Sequence, residues 1–191
     1  MKMELRTYYV SSEKGNDQND GKSELTPFAT LQPLQKCELQ PGDKILLERG
    51  SVFEDQYLHI RQSGMKDAPI EVGAYGEGCL PKIHANGTGR WYQDYGRSLD
   101  SPMHVYRGEV SSAILLYDAE YIWIHDLEIT NQDSEKELEQ YCAPDKMDRT
   151  GVAVVAQNRG TLHDIHLSNL MIHDVNGNVY NKHMNNGGIY M

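Results

Sequence analysis

The second half of this sequence contains an internal repeat that strongly limits the folds available to the chain. Residues 122–129 match residues 165–172, with aliphatic side chains at the same four places in both copies. Apolar residues at alternate positions predict β-strands with one buried face, and the recurrence of such a unit is typical of solenoids. In each copy the alternation slips by one residue, at Asp126 and at Asn169, which are residue types that tolerate a left-handed corner. The repeat therefore predicts a strand, a one-residue corner and a second strand in each coil of a right-handed parallel β-helix.

A second group of short apolar segments recurs in the same part of the chain. These segments are residues 113–116, 151–154 and 188–191, and we expect them to form a further set of stacked strands. A β-sandwich would also contain alternating strands. Its hairpins, however, do not require a register match between segments so far apart in sequence. The two sets of repeats therefore favour the parallel β-helix.

The N-terminal segment has the features of a cap for the first coil. Thr26 and Pro27 suit the N-cap and the first position of a helix, and Phe28, Leu31 and Leu34 have helical spacing. We expect a helix beginning at Thr26 to cover the open end of the solenoid, because an uncovered end exposes the core and the strand edges. Strands are expected at residues 8–10, 44–48, 57–60, 69–74 and 82–85.

Composition restricts the class of protein and its partners. The 191 residues fit one domain, with 39% hydrophobic residues and a formal net charge of -10. An acidic chain without a basic run argues against nucleic acid or an anionic membrane as a partner. The sequence has neither a recognisable secretory signal nor an apolar run long enough to span a membrane. Its three cysteines are odd in number and lack metal-ligand spacing, so a cytoplasmic location is expected.

A loop rich in Asp and Asn at residues 15–21 raises the alternative of bound calcium. An EF-hand alignment fails, because placing Gly21 at the invariant glycine puts Asn16 at the first ligand position and Pro27 where the bidentate glutamate should lie. Side-chain hydrogen bonds of the Asx-turn type explain this composition better. We therefore expect no cofactor, with calcium as the alternative for this loop.

Several motifs resemble a known group of enzymes. They are Tyr9-Val10-Ser11, Gly15-Asn16-Asp17, Asn19-Asp20-Gly21, Thr26-Pro27-Phe28, Leu39-Gln40-Pro41-Gly42-Asp43, Ala68-Pro69-Ile70 and Gly73-Ala74-Tyr75-Gly76-Glu77-Gly78. Together they resemble the N-terminal cap and first coils of bacterial right-handed parallel β-helix carbohydrate-active enzymes, which include glycoside hydrolases and some polysaccharide lyases. Residues 91–131 and 160–188 are similar to β-helix β-xylosidases and their relatives.

The resemblance covers essentially the whole chain. It implies that residues 1–191 are the N-terminal cap and first coils of a β-helix domain that is truncated at its C-terminus. Glycosidic hydrolysis needs two carboxyl groups, about 5 Å apart for retention or further apart for inversion, and no pair in this sequence can be assigned to that spacing. In the enzymes that the chain resembles, the catalytic carboxylates lie on later coils. We therefore expect the catalytic residues beyond Met191, and expect this chain alone to bind weakly and catalyse little.

Residues 86–112 interrupt the strand pattern and supply the first candidates for substrate binding. The candidates are Trp91, Tyr92, Tyr95 and His104. Aromatic faces are surfaces on which sugar rings stack, so the segment predicts a carbohydrate subsite. The alternative is that these side chains only attach a long loop to the solenoid.

A polar loop after the repeat supplies the remaining candidates. His173 and Asp174 end a strand and lead into a segment rich in asparagine that includes Asn178 and His183, and Glu128 is expected to point outward one coil below. Loops at strand ends are where solenoid enzymes place binding groups. Adjacent residues on a strand point to opposite faces, so neither member of a His-Asp pair is automatically positioned by the other. A turn without any binding role is the alternative interpretation.

The resemblance implies the N-terminal part of a β-xylosidase-like glycoside hydrolase that acts on plant-type oligosaccharides. An oligosaccharide is the expected partner, and no metal is expected. One alternative is a polysaccharide lyase of the β-helix type, in which Lys182 or His183 could serve as the base. Another is a noncatalytic carbohydrate-binding or structural solenoid. If the natural protein ended at Met191, its open edge would need a partner chain, which makes a homo-oligomer a further expectation.

Overall fold

The structure, a computed structural model, describes residues 5–94, 107–132, 147–177 and 186–191. Regular structure in these ranges is almost entirely β-strand. The strands are β1 (Thr7–Val10), β2 (Lys44–Glu48), β3 (Val52–Glu54), β4 (Leu58–Ile60), β5 (Ile70–Tyr75), β6 (Lys82–His84), β7 (Arg90–Asp94), β8 (Arg107–Tyr117), β9 (Ile122–Asn131), β10 (Asp148–Val155), β11 (Ile165–Val175) and β12 (Gly187–Tyr190). One 3-10 turn, Pro33–Lys36, accompanies them. Within these ranges, no helix has the length and apolar character needed to cross a membrane.

The strands pair in three stacks. The first stack contains β1, β2, β5 and the first halves of β9 and β11. The second contains β3, β6 and the second halves of β9 and β11. The third contains β4, β8, β10 and β12. Every pairing within the stacks is parallel, and β7 pairs antiparallel with the start of β8. The predicted all-β class and the predicted parallel pairing are therefore confirmed.

The chain visits the three stacks in the same order in successive rounds. After β1 it passes through β2, β3 and β4, then through β5, β6 and β8, and then through the two halves of β9 and β10. Each round contributes apolar side chains to one buried cluster, among them Phe53, Ile83 and Ile129, which are fully buried. Burial of this apolar surface is the main stabilising contribution to such a fold.

The register of the repeat is the one that the sequence predicts. Ile122 pairs with Ile165, and Leu127 pairs with Leu170. The aliphatic residues of the first copy are fully buried, and those of the second copy are half-buried against the same core. The apolar segments 113–116, 151–154 and 188–191 also stack as predicted, with Val152 between Ile114 and Ile189.

The corner between the two halves of each repeat has left-handed backbone. The φ angle is 57° at Asp126 and 48° at Asn169, and the side chains of these two residues hydrogen-bond to each other. The Asp126 carboxylate also contacts His125 at 2.7 Å and Arg49 at 3.3 Å. The predicted one-residue corner is confirmed, and its side chain links neighbouring rounds of the chain.

Replacement of Asp126 by valine is expected to destabilise the protein by about 1–3 kcal/mol, because a β-branched residue is strained at this positive φ. The variant also loses the contacts to Arg49 and Asn169. Asp126→Gly is the matched control, since glycine adopts this conformation without strain, and it should be less destabilised. Urea denaturation of the two variants measures the difference, and equal midpoints would contradict a role for the left-handed backbone.

The predicted capping helix at Thr26 is not seen, and this prediction is corrected. Phe28 lies beside β1, where its N–H donates to Tyr9 and its carbonyl accepts from Ser11. Backbone groups used in this way cannot form the hydrogen bonds of a helix. The only helical turn in the described residues is the later one at Pro33–Lys36. Phe28, Leu31 and Leu34 are nevertheless buried. Phe28 and Leu31 join the core outside any helix, and Leu34 joins it from the 3-10 turn.

The loop at residues 15–21 is held by its own side chains. Asp17 accepts from the backbone N–H groups of Ala29 and Thr30 at 2.8 and 2.9 Å, and Asn16 accepts from the N–H of Gln18 at 2.9 Å. The hydrogen bond from Gln18 to Asn16 is an Asx turn. These contacts agree with the structural interpretation of the loop.

Candidate functional site

A cluster of charged side chains forms on the outer face of the second stack, and it contains three of the predicted substrate-binding residues. We define the His173 cluster as Lys82, Glu128, His173 and Asp174. Lys82 on β6 lies directly opposite Glu128 on β9, and Glu128 lies opposite Met171 on β11. His173 is two residues further along β11, so its side chain leaves the same face. Parallel register thus assembles the cluster from three successive rounds of the chain.

His173 lies between two carboxylates. Its Nδ1 is 2.8 Å from Oδ2 of Asp174, and its Nε2 is 3.0 Å from Oε1 of Glu128. Lys82 forms an ion pair with the same Glu128 oxygen. The contact between His173 and Asp174 was not expected from sequence, because neighbours on a regular strand point to opposite faces. Asp174 has a φ of 49°, and this left-handed conformation allows its carboxylate to reach the preceding ring.

The hydrogen bonds within the His173 cluster favour the charged forms of His173 and Glu128. The hydrogen bond to Asp174, followed by that to Glu128, raises the pKa of His173. Burial acts to raise the pKa of Glu128, but the hydrogen bonds from Lys82 and His173 outweigh it and lower that pKa. Glu128 is therefore a carboxylate at neutral pH, so it does not hold the proton that a general acid must donate. The cluster can present fixed charges and hydrogen-bonding groups to a ligand.

We expect the imidazole of His173 to titrate above its ordinary pKa of 6.5. Asp174→Asn should lower the pKa of His173, because it removes the larger of the two stabilising interactions. Glu128→Gln should lower it by a smaller amount. NMR titration of the histidine ring protons measures both effects. A pKa of His173 that is the same in the native protein and in both variants would contradict the described hydrogen bonds.

The same arrangement occurs a second time, on the outer face of the first stack. We define the His125 cluster as Lys44, Glu71, His125 and Asp126. His125 Nδ1 lies 2.7 Å from Asp126, its Nε2 lies 3.2 Å from Glu71, and Lys44 lies 2.5 Å from Glu71. A Cβ at Gly73 would come within 2.4 Å of the His125 ring, so a larger residue at this position would displace the imidazole. Because the arrangement recurs at a second corner, joining successive rounds of the chain is a sufficient role for both clusters.

Sequence reasoning identified Glu128, His173 and Asp174 but missed Lys82. The signal for Lys82 was its in-register position opposite Glu128, and this becomes visible only when residues 82–84 are aligned with residues 128–130. Among the described residues, no group of three or more His, Cys, Asp or Glu side chains is arranged to hold a metal ion.

The two adjacent aromatic candidates on β7 have different environments. Trp91 is only 6% exposed, and its Nε1 donates to Ser112 Oγ at 2.8 Å. Its ring packs edge-on against Tyr117, with centroids 6.0 Å apart. Trp91 therefore attaches its strand to the third stack, which is the alternative considered for this segment. Tyr92 points the other way and is 54% exposed, so its ring face remains available to a ligand.

The other candidates cannot be assigned to a site. Tyr95, His104, Asn178 and His183 lie outside the described residues, as does Lys182. Predictions about their roles in binding or catalysis remain predictions.

Nearly the whole chain can be aligned with proteins that are already known. No protein-family model matches it. It is 44% identical to a lacto-N-biosidase from Bifidobacterium longum subsp. longum, over 96% of this chain and 13% of that protein. The crystal structure of a GH136 lacto-N-biosidase from Eubacterium ramulus matches with 61% identity and a TM-score of 0.90, over 97% of this chain and 30% of that one. A second crystal structure of the Eubacterium ramulus enzyme, in its native form, also matches with 61% identity and a TM-score of 0.90. The chain thus spans less than a third of these relatives, and is similar to one part of them.

Proposed function

We propose that this chain is part of a longer glycoside hydrolase that releases lacto-N-biose from oligosaccharides. The observation that carries the proposal is the 61% identity and TM-score of 0.90 to the GH136 lacto-N-biosidase over 97% of the chain. Identity at this level over three stacks of strands supports a common scaffold in the two proteins. The proposal keeps the predicted hydrolase class and replaces the β-xylosidase-like activity on plant-type oligosaccharides.

The described architecture supports a specific form of this scaffold. In our proposal the three stacks are the three faces of one right-handed parallel β-helix. The repeated order in which the chain visits the stacks supports this geometry, and crossovers between parallel strands are almost always right-handed. The catalytic carboxyl groups belong, in this proposal, to coils beyond Met191. The two carboxylates of the His173 cluster are not the catalytic pair in this proposal, because both hydrogen-bond to the same imidazole.

The proposal is tested with the longer protein that contains this chain. Nitrophenyl glycosides of lacto-N-biose, xylose and galactose are supplied separately, and nitrophenol release is followed by absorbance. We expect turnover of the lacto-N-bioside at a rate at least tenfold above the other two. Preferred cleavage of the xyloside would restore the β-xylosidase-like prediction. New ultraviolet absorbance from a uronate polysaccharide would indicate a lyase and contradict the proposal.

A further inference from the structure

A hairpin covers part of the outer face of the third stack. It consists of β7 and the start of β8, which pair antiparallel from Arg90 with Ser111 to Asp94 with Arg107. Beneath Trp91 lies a small apolar cluster that is separate from the main core. Its members are Val110, Leu115, Ala153 and Val155, with Tyr117 at the margin. The hairpin is therefore fixed to the stack by a packed indole.

A concave groove of about 280 Å³ lies beside this packed region. It is lined by Gln93 and Asp94 of the hairpin, by Val155 at the end of β10 and Gln157 just after it, and by Tyr190 at the end of β12. Tyr190 stands directly next to the small side chain of Ala153 on the neighbouring strand. The volume is near the lower limit of about 300 Å³ for small-molecule sites, which suits a ligand of one sugar ring.

Gln93 gives this groove a specific polar requirement. The residue is only 5% exposed, and its Oε1 is buried without accepting a hydrogen bond from any part of the chain that the structure describes. An acceptor left unsatisfied in this way is unfavourable, because the loss of its hydration is not compensated by a hydrogen bond. Buried side-chain carbonyl groups normally accept a hydrogen bond. A ligand hydroxyl or amide N–H at this position would therefore satisfy the Gln93 oxygen.

Tyr190 gives the groove a different kind of surface. It is half-buried, with an aromatic ring that combines an apolar face and a phenolic hydroxyl. Sugars present the complementary combination, an apolar C–H face and a rim of hydroxyl groups. Gln157 is exposed at the same opening and adds an amide that can donate and accept hydrogen bonds.

We propose that this groove is a subsite for one pyranose ring of the oligosaccharide substrate. Gln93 Oε1 accepts a hydrogen bond from a hydroxyl or acetamido group of the sugar, and Tyr190 contacts its C–H face. The inference rests on the proposed function, because that function supplies a neutral oligosaccharide as the ligand. It assigns to the hairpin a binding role that Trp91 does not perform, since the indole is covered.

The test is a titration of the 191-residue chain with lacto-N-biose, followed by NMR or calorimetry. We expect saturable binding with a dissociation constant in the millimolar range. Gln93→Met, which preserves side-chain length and removes the carbonyl acceptor, should weaken binding about tenfold or more. Tyr190→Ala should have an effect of similar size. Gln32→Ala is the matched control, because Gln32 is exposed and lies near the 3-10 turn, and it should bind like the native chain. Thermal unfolding verifies that each variant is folded.

The outcomes separate the subsite from the proposed function. Equal affinities in the Gln93 and Tyr190 variants and the control would overturn the subsite. Absence of binding by the folded native chain, alongside lacto-N-biose release by the longer protein, would also overturn it while leaving the proposed function intact. Binding that depends on both side chains, in a longer protein that hydrolyses only another glycoside, would keep the groove as a sugar site and reject lacto-N-biosidase activity.

Discussion

Replacement of Leu127 by alanine is expected to lower the free energy of unfolding by about 2–5 kcal/mol. Leu127 is fully buried, directly follows the left-handed corner of β9 and pairs with Leu170 on β11. Truncation removes apolar contacts in the shared core and leaves a cavity that rigid neighbouring strands can fill only partly. Urea denaturation measures the loss as a shift of the midpoint at constant slope.

Met171→Ala is the matched control for this substitution. Met171 follows Leu170 by one residue, points to the outer face and is 53% exposed. Its truncation should change the free energy of unfolding by about 0.5 kcal/mol or less. Similar losses in the two variants would mean that the inward and outward assignments of the repeat are wrong, because a one-residue slip exchanges the two faces of a strand.

A fall in stability between about pH 6.5 and pH 4 is the second large expected effect, and His59 is its source. Burial lowers the pKa of His59 from 6.5 to about 4, and its Nε2 lies 3.3 Å from the carbonyl of Ser112. Above pH 6.5 the ring is neutral in both the folded and unfolded states. As the pH falls, the unfolded chain binds the proton first, so the folded state loses up to about 3 kcal/mol.

The control for this effect is His59→Gln, which keeps a hydrogen-bond donor and does not titrate. Its stability should vary less than that of the native protein between pH 6.5 and pH 4. His173 acts in the opposite direction, because its pKa is raised and its contribution is lost as the pH rises above 6.5. Both proteins contain His173, so the difference between their pH profiles isolates His59. Parallel profiles would show that His59 is not buried in its neutral form.

The repeat could be predicted from sequence because its physical origin is local. Alternation identifies the buried face, and the slip at Asp126 and Asn169 identifies the corner, since both signals lie within eight consecutive residues. The N-terminal helix was predicted wrongly because the local preference of Thr26 and Pro27 competes with distant partners. In the folded chain, the backbone of Phe28 bonds to β1 instead.

The candidate site was only partly predictable for a related reason. Glu128, His173 and Asp174 were recognised from their positions, but their mutual contacts depend on register and on the left-handed backbone of Asp174. The burial of Trp91 and the exposure of Tyr92 depend on which face of β7 meets the third stack. Gln93 carries no recognisable motif. Its importance appears only in three dimensions, where its buried oxygen has no hydrogen-bond donor among the described residues.

The most direct test of the central claim is the identity of the product released by the longer protein. The protein is incubated with an oligosaccharide whose nonreducing end is lacto-N-biose, and the products are analysed by mass spectrometry. The account predicts that the intact disaccharide appears together with the shortened acceptor. Release of single hexose units in place of the disaccharide, or no cleavage by a folded protein, would contradict it.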